Sequence, residues 1–337
     1  NPRGPAQGQE RVIRGGGWNS NAASCKSAYR ASDPAIDDTC LANDAIGFRC
    51  VRKGPIESPV SEGGSSMPSD PRPKTAFVYH DVYLEHKTPA GHPESPKRLT
   101  AIVERLKADR LDGELASLTP QPAQEKWIQT VHTAGYIERA RKACAEGDDY
   151  LDSGDVPIST RSYEAAVLAA GGVLTAVDAV MKGQVANAFC AVRPPGHHAL
   201  ADRAMGFCIF NNVAIGARYV QQQYHLAKVL IVDWDVHHGN GTQAAFYEDP
   251  SVLYFSVHQY PFYPGTGAET ETGKGAGLGA TINVPLPAGS GDDDFLEAFE
   301  KKLTPAADAF RPDFVFVSAG FDAHENDTLG GMRVTTG

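Results

Sequence analysis

Lys228–Gly241 reads KVLIVDWDVHHGNG. A short run of branched apolar residues suits a strand buried on both faces, as in a parallel sheet. This run passes straight into aspartates and histidines. On an extended segment alternate residues face the same way, so Asp233, Asp235 and His237 are presented together while Val236 anchors the strand. Asp and His at the end of a buried strand are placed where a rigid base meets solvent, which is where catalytic groups are useful.

The same grammar recurs along the chain. TAFVYH (Thr75–His80), NAFCAV (Asn187–Val192), SVLYFSVH (Ser251–His258) and DFVFVSAG (Asp313–Gly320) read as further buried strands. Between them YEAAVLAAGGVLTAVDAVMKG and NNVAIGARYVQQQYH carry apolar residues at helical spacing. Alternating strands and helices predict an α/β fold of three α/β/α layers around a mostly parallel sheet. In such sheets ligands bind beyond the carboxyl ends of the strands. VRPPGHHA, DVHHGNG, HQYPFYPGTG and GFDAH each follow one of the predicted strands, so several separate strand ends bring His and Asp to one rim.

Standing alone, an Asp-x-His pair describes a surface loop or a satisfied hydrogen-bond pair more often than a metal site. Here Asp235 and His237 have a candidate third partner in Asp322, which ends a neighbouring predicted strand. Carboxylate oxygens and one imidazole nitrogen make a mixed donor set suited to zinc, with a position left for water. The Pro-Pro-Gly turn ahead of His197 and His198 adds adjacent imidazoles, one to exchange a proton and one to steady developing negative charge.

RPPGHHA, GFCIFNN, DWDVHHGNGTQ, YFSVHQ, YPGTG and SAGFDAH, in this order, resemble the histone deacetylase and acetylpolyamine amidohydrolase superfamily. The resemblance runs from about Thr75 to the end and includes HPESPKRL (His92–Leu99) and VHTAGYI (Val131–Ile137). It implies an arginase/deacetylase-like fold and zinc-dependent cleavage of an acetylated lysine, or of an acetylated polyamine, to acetate and free amine. It also implies zinc ligands at Asp235, His237 and Asp322, paired catalytic histidines at His197 and His198, and orienting groups at Asp233 and Asn240. His198 would take and return the proton while His197 stabilises charge beside it. A structural potassium ion is implied at Asp233, the Ser256 hydroxyl and the main chain of Asp235, His237 and Val257. Gly206, Phe207 and Tyr263 match the walls of a narrow substrate channel, with Tyr263 standing where phenylalanine is commoner. A manganese ureohydrolase of the arginase type shares the sheet but uses an Asp-Ala-His-x-Asp cluster that this sequence lacks.

The family pattern continues into a Gly-Gly-Tyr strand whose tyrosine hydroxyl contacts the oxyanion, and no matching tyrosine precedes Gly337. Losing one oxyanion donor commonly costs about 100- to 1000-fold in turnover. The expectation is a C-terminally incomplete catalytic domain with impaired activity, and the competing reading is a zinc-containing module that binds acetyl-lysine without turning it over.

Residues 54–74, dense in Pro, Gly and Ser, read as a linker. Upstream, RVIRGGGWNSNAASCKSAYR and AIGFRCVR resemble the C-terminal end of the formylglycine-generating enzyme (sulfatase-modifying factor) family. Gly15–Arg30 contains only Cys25 where that family's chemistry uses paired thiols, so residues 1–53 are expected to carry no catalysis. The expected organisation is thus a fragment (1–53), a linker (54–74) and a catalytic domain (75–337).

Composition sets outer bounds. With 42% hydrophobic and 21% charged residues the chain can bury an ordinary core. A formal net charge of -10 supplies no basic face for nucleic acid. The six cysteines form no CxxC pair, which argues against a thiolate zinc site or disulfide framework and makes a reducing, cytoplasmic compartment the expectation. No signal-like segment or membrane span is expected.

Overall fold

The computed structural model describes residues 47–52 and 75–336. The proposed linker and nearly all of the upstream segment, including Cys25, lie outside the described residues. The described strands are β1 (Gly47–Arg52), β2 (Thr75–Val78), β3 (Ala116–Leu118), β4 (Asn187–Ala191), β5 (Val229–Asp233), β6 (Val252–Gln259), β7 (Thr281–Leu286) and β8 (Phe314–Ala319). They form one sheet in the order β3-β2-β4-β1-β8-β5-β6-β7. Every pairing is parallel except those of β1, which runs antiparallel between β4 and β8.

Strand alternation divides the core into two layers. Val229 and Ile231 of β5, with Tyr254 of β6, join the larger cluster beneath the helices Ser162–Met181 and Asn212–Tyr224. Leu230 and Val232, with Leu253, Phe255 and Val257, face the opposite way onto Ala298, Leu303 and Ala307. These last three residues belong to the helical run Asp292–Phe310. Burial on both faces explains why β5 is apolar at every position until Asp233.

Ser162–Met181 is long and apolar enough to cross a membrane by length and composition, yet it is mostly buried within the protein. Its apolar residues, among them Ala169, Val173 and Val177, lie in the larger core cluster, which accounts for its hydropathy without a bilayer.

All the parallel strands around the centre deliver their carboxyl ends to one edge. Gly47, the first residue of β1, lies at that edge too, opposite Ala191 and Ala319. A strand with neighbours on both sides cannot lose an amide without losing a ladder bond. Arg49→Pro, at the middle of β1, should therefore lower stability by about 1 kcal/mol or more. Urea unfolding checks this, and an unchanged midpoint would contradict the central placement of β1.

Candidate active site

β5 ends at Asp233, and the chain then bends instead of continuing as the strand that simple alternation implies. Side-chain oxygens tie down the bend. Asp235 N–H donates to Asp233 Oδ1 at 3.3 Å, Val236 N–H to Asp322 Oδ1 at 2.8 Å and His237 N–H to Asp235 Oδ1 at 2.8 Å. The fully buried Val236 packs with Ala323 and Met332, so the expected anchoring role survives the change of backbone shape.

Asp235, His237 and Asp322 each offer a ligand atom within 4.8 Å of the others. His237 Nδ1 lies 2.9 Å from Asp322 Oδ2 and 3.1 Å from Asp235 Oδ1. β5 and β8 are adjacent in the sheet, which is how residues so distant in sequence meet. Gly320 makes room for the approach, because a Cβ there would stand 2.1 Å from Asp235 Oδ2.

The electrostatics favour a cation at this point. Burial, and then the charge of Asp235, pushes the Asp322 carboxyl up to about 6. Burial disfavours charge on His237, but its bonds to Asp235 and Asp322 prevail and raise it to about 10. Carboxylates gathered out of water around one imidazole are the donor chemistry that a zinc ion satisfies.

Above this cluster stand His197 and His198, buried, with ring centroids 4.0 Å apart. Their partners differ in charge. His197 Nδ1 lies 3.0 Å from Asp233 Oδ2, whereas His198 Nδ1 lies 2.8 Å from Asn240 Oδ1. Burial opposes charge on His197, yet Asp235 and Asp233 outweigh it and lift its pKa to about 9. For His198, burial and the neighbouring His197 and His237 push the pKa well below the usual range.

The turn that carries these imidazoles is held by residues to which the sequence reading gave no role. Glu94 and Arg193 are each 1% exposed. Arg193 donates through Nε to Glu94 Oε1 and through Nη2 to Oε2 at 2.8 Å, while its Nη1 bonds Tyr83 O at 2.8 Å. Asn212 Nδ2 reaches Pro194 O at 3.2 Å, so GFCIFNN also supports the turn. His132 of VHTAGYI accepts from Asn211 N at 2.8 Å, and its Nδ1 lies 2.8 Å from Leu200 O. These motifs were visible as text, but a Glu and an Arg 99 residues apart form no local pattern.

Asp233 is buried and opposite Ser256 in the β5–β6 register. It accepts from the Tyr254 hydroxyl at 3.2 Å, and Ser256 Oγ lies 2.8 Å from His258 Nδ1. The structure thus brings Asp233 and Ser256 side by side, whereas the Val257 side chain faces the opposite core layer.

A cavity of about 180 Å³ opens onto the cluster, lined by His197, His198, Asp235, His237 and Asp322 at its base and by Gly206, Phe207, Tyr263, Asp155 and Arg98 further out. The Tyr263 ring centroid is 5.1 Å from that of His198 and 6.0 Å from that of His237. Gly206, at φ +55, lies against His198, where a Cβ would come within 2.2 Å of Cδ2. Asp155 and Arg98 were not singled out in the sequence. Asp155 falls in a loop whose shape no periodicity predicts.

Residues 92–337 match the family model for the histone deacetylase domain. The chain is 42% identical to histone deacetylase 5 of Arabidopsis thaliana over 279 residues, which cover 78% of this chain and 42% of that protein. It is also 42% identical to the polyamine deacetylase HDAC10 of Rattus norvegicus over 281 residues, covering 77% of this chain and 47% of the relative. It therefore spans less than half the length of these two curated relatives. A solved structure, the HDA15 HD domain, superposes with a TM-score of 0.75 at 42% identity, covering 78% of this chain and 77% of that one.

The buried ion pair beneath the histidine turn gives a direct test. Arg193 and His86 hold the Glu94 carboxyl below the usual carboxylate range despite the opposing effect of burial. Glu94→Gln leaves the Arg193 charge uncompensated and should destabilise the fold by about 3–5 kcal/mol at neutral pH. A carboxylate with a depressed pKa stabilises the fold above its unfolded value, about 4.3, and loses that contribution as pH falls below it. The wild-type and variant urea midpoints should thus converge in acid, and a constant difference down to the lowest pH where both fold would contradict the assignment.

Proposed function

The chain belongs to the histone deacetylase family, and from that premise we propose that it is a zinc-dependent amidohydrolase cleaving acetylated primary amines, the side chain of acetyl-lysine or an acetylated polyamine. The observation that carries this reading is the convergence of Asp235, His237 and Asp322 below the paired histidines. Relatives named as histone and polyamine deacetylases match equally well, which supports the acetylated amine as substrate class and leaves both substrates in view.

Zinc held by Asp235, His237 and Asp322 would supply Lewis acidity toward the amide carbonyl and a nucleophile at neutral pH. The remaining chemistry belongs to the chain. With Nδ1 of His198 engaged by the neutral Asn240 amide, Nε2 is the nitrogen left to take a proton from the attacking water and return it to the leaving amine. Burial and the neighbouring His197 and His237 keep His198 neutral, and the Asn240 amide oxygen, by accepting from Nδ1, leaves Nε2 unprotonated and free to take the proton. His197 is paired with the Asp233 carboxylate, which favours its cationic form beside the developing oxyanion. Phe207 and Tyr263 line the path of an apolar alkyl stem. Potassium at Asp233, Ser256 and the adjacent main chain is part of the same proposal. It would offset the buried carboxylate, whose pKa burial raises.

Incubating the zinc-loaded protein with an acetyl-lysine peptide, and separately with an acetylated polyamine, should release acetate and free amine in equal amounts from at least one of them. Binding without release would instead favour an acetyl-lysine-binding module. His198→Ala should lower kcat/KM by about 100- to 10,000-fold. Asp322→Ala should weaken zinc binding by more than the roughly 10- to 100-fold typical of losing an outer partner. Full zinc content in that variant, measured by elemental analysis, contradicts the ligand set.

A further inference from the structure

The segments that form the mouth of the cavity are fastened together at one carboxylate. Asp155 Oδ2 accepts from the Tyr263 hydroxyl at 2.8 Å and from Gly206 N–H at 3.0 Å. Its other oxygen accepts from the Ser153 hydroxyl. The main chain adds a fourth tie, Phe207 N–H to Asp155 O at 3.3 Å. Asp155 lies between the bridged residues Tyr150 and Pro157, Gly206 and Phe207 follow β4, and Tyr263 follows β6. The Tyr263–Asp155 bond thus joins residues 108 apart in sequence across the opening.

Phenylalanine would supply the same ring wall. What the tyrosine adds is a hydroxyl, and that hydroxyl is committed to Asp155 instead of pointing free into the cavity. The ring is thereby fixed edge-on to His198, at an interplanar angle of 90°. Phe207, on the other wall, is held through its N–H bond to Asp155 O, and its ring lies 4.9 Å from that of His92. Both walls are pinned before any ligand arrives. Preorganisation of this kind favours ligands that fit the fixed bore and penalises those that must open it.

We propose that the Tyr263–Asp155 bond is a collar that sets the bore of the channel, making Tyr263 and Asp155 determinants of specificity for amides of unbranched alkylamines over amides whose stem carries a ring or branch. The proposal rests on the amidohydrolase reading only for the kind of ligand; the collar itself is a matter of width.

The test therefore reads binding separately from turnover. Two peptides are used, alike except at one residue, which is acetyl-lysine in the first and N-acetylated 4-(aminomethyl)phenylalanine in the second. Their dissociation constants are measured by calorimetry on the full zinc-loaded chain, with acetate release followed in parallel. The wild type should bind the narrow stem about tenfold or more tightly than the wide one, and Tyr263→Phe should bring that ratio to within about threefold. Asp155→Ala, which cuts the same bond from the other side, should shift the ratio in the same direction. The double variant should show little further change, because residues acting through one bond are not additive. An unaltered ratio in Tyr263→Phe, or strictly additive effects, overturns the collar. Failure of the wild type to release acetate, with the binding ratio behaving as described, would overturn the amidohydrolase reading and leave the collar standing.

Discussion

Asp235 and Asp322, in the segments that follow the neighbouring strands β5 and β8, direct buried carboxylates at a single imidazole. Keeping anions together out of water is costly unless a cation and hydrogen bonds offset it. The local architecture answers that demand. The backbone bends just after β5 so that its amides feed Asp235 and Asp322, and Gly320 is small where Asp235 needs space. A dication at this point would reverse the local charge balance, lowering the carboxyl pKa values and keeping His237 neutral as a ligand.

The same economy of charge separates the paired histidines. They are adjacent in sequence, nearly touching and almost equally buried, so position alone gives them no distinct roles. Their charged surroundings do. The carboxylates of Asp235 and Asp233 raise the proton affinity of His197, while burial and the neighbouring His197 and His237 lower that of His198, so the two move apart. Their hydrogen-bond partners, Asp233 and Asn240, come from the β5 end and the start of the helix Asn240–Phe246. The segment that supplies two of the candidate metal ligands, Asp235 and His237, thus also supplies charges that shape both proton affinities.

Much of this was legible in the sequence because it is written locally. The apolar runs located β2, β4, β5, β6 and β8, and the order of the polar motifs told which family they resemble. The parts that escaped depend on long-range contact. β1 comes from a stretch grouped with the upstream fragment, yet it pairs in the centre of the sheet. β3 and β7 are a short strand and an edge strand with weak patterns. The Glu94–Arg193 pair and the Asp155–Tyr263 bond join residues about a hundred positions apart, and no period or turn signal encodes such a meeting. Alternation also overextended β5, because side-chain hydrogen bonds to the amides of Asp235 to His237 outcompete continued pairing.

On the proposed reading, one nitrogen and carboxylate oxygens from the segments after two neighbouring strands hold a zinc ion without sulfur. X-ray absorption at the zinc edge tests it most directly on the metal-loaded protein. The account predicts only nitrogen and oxygen neighbours at about 2.0–2.2 Å. A sulfur neighbour at about 2.3 Å would mean that a cysteine binds the metal and would contradict it.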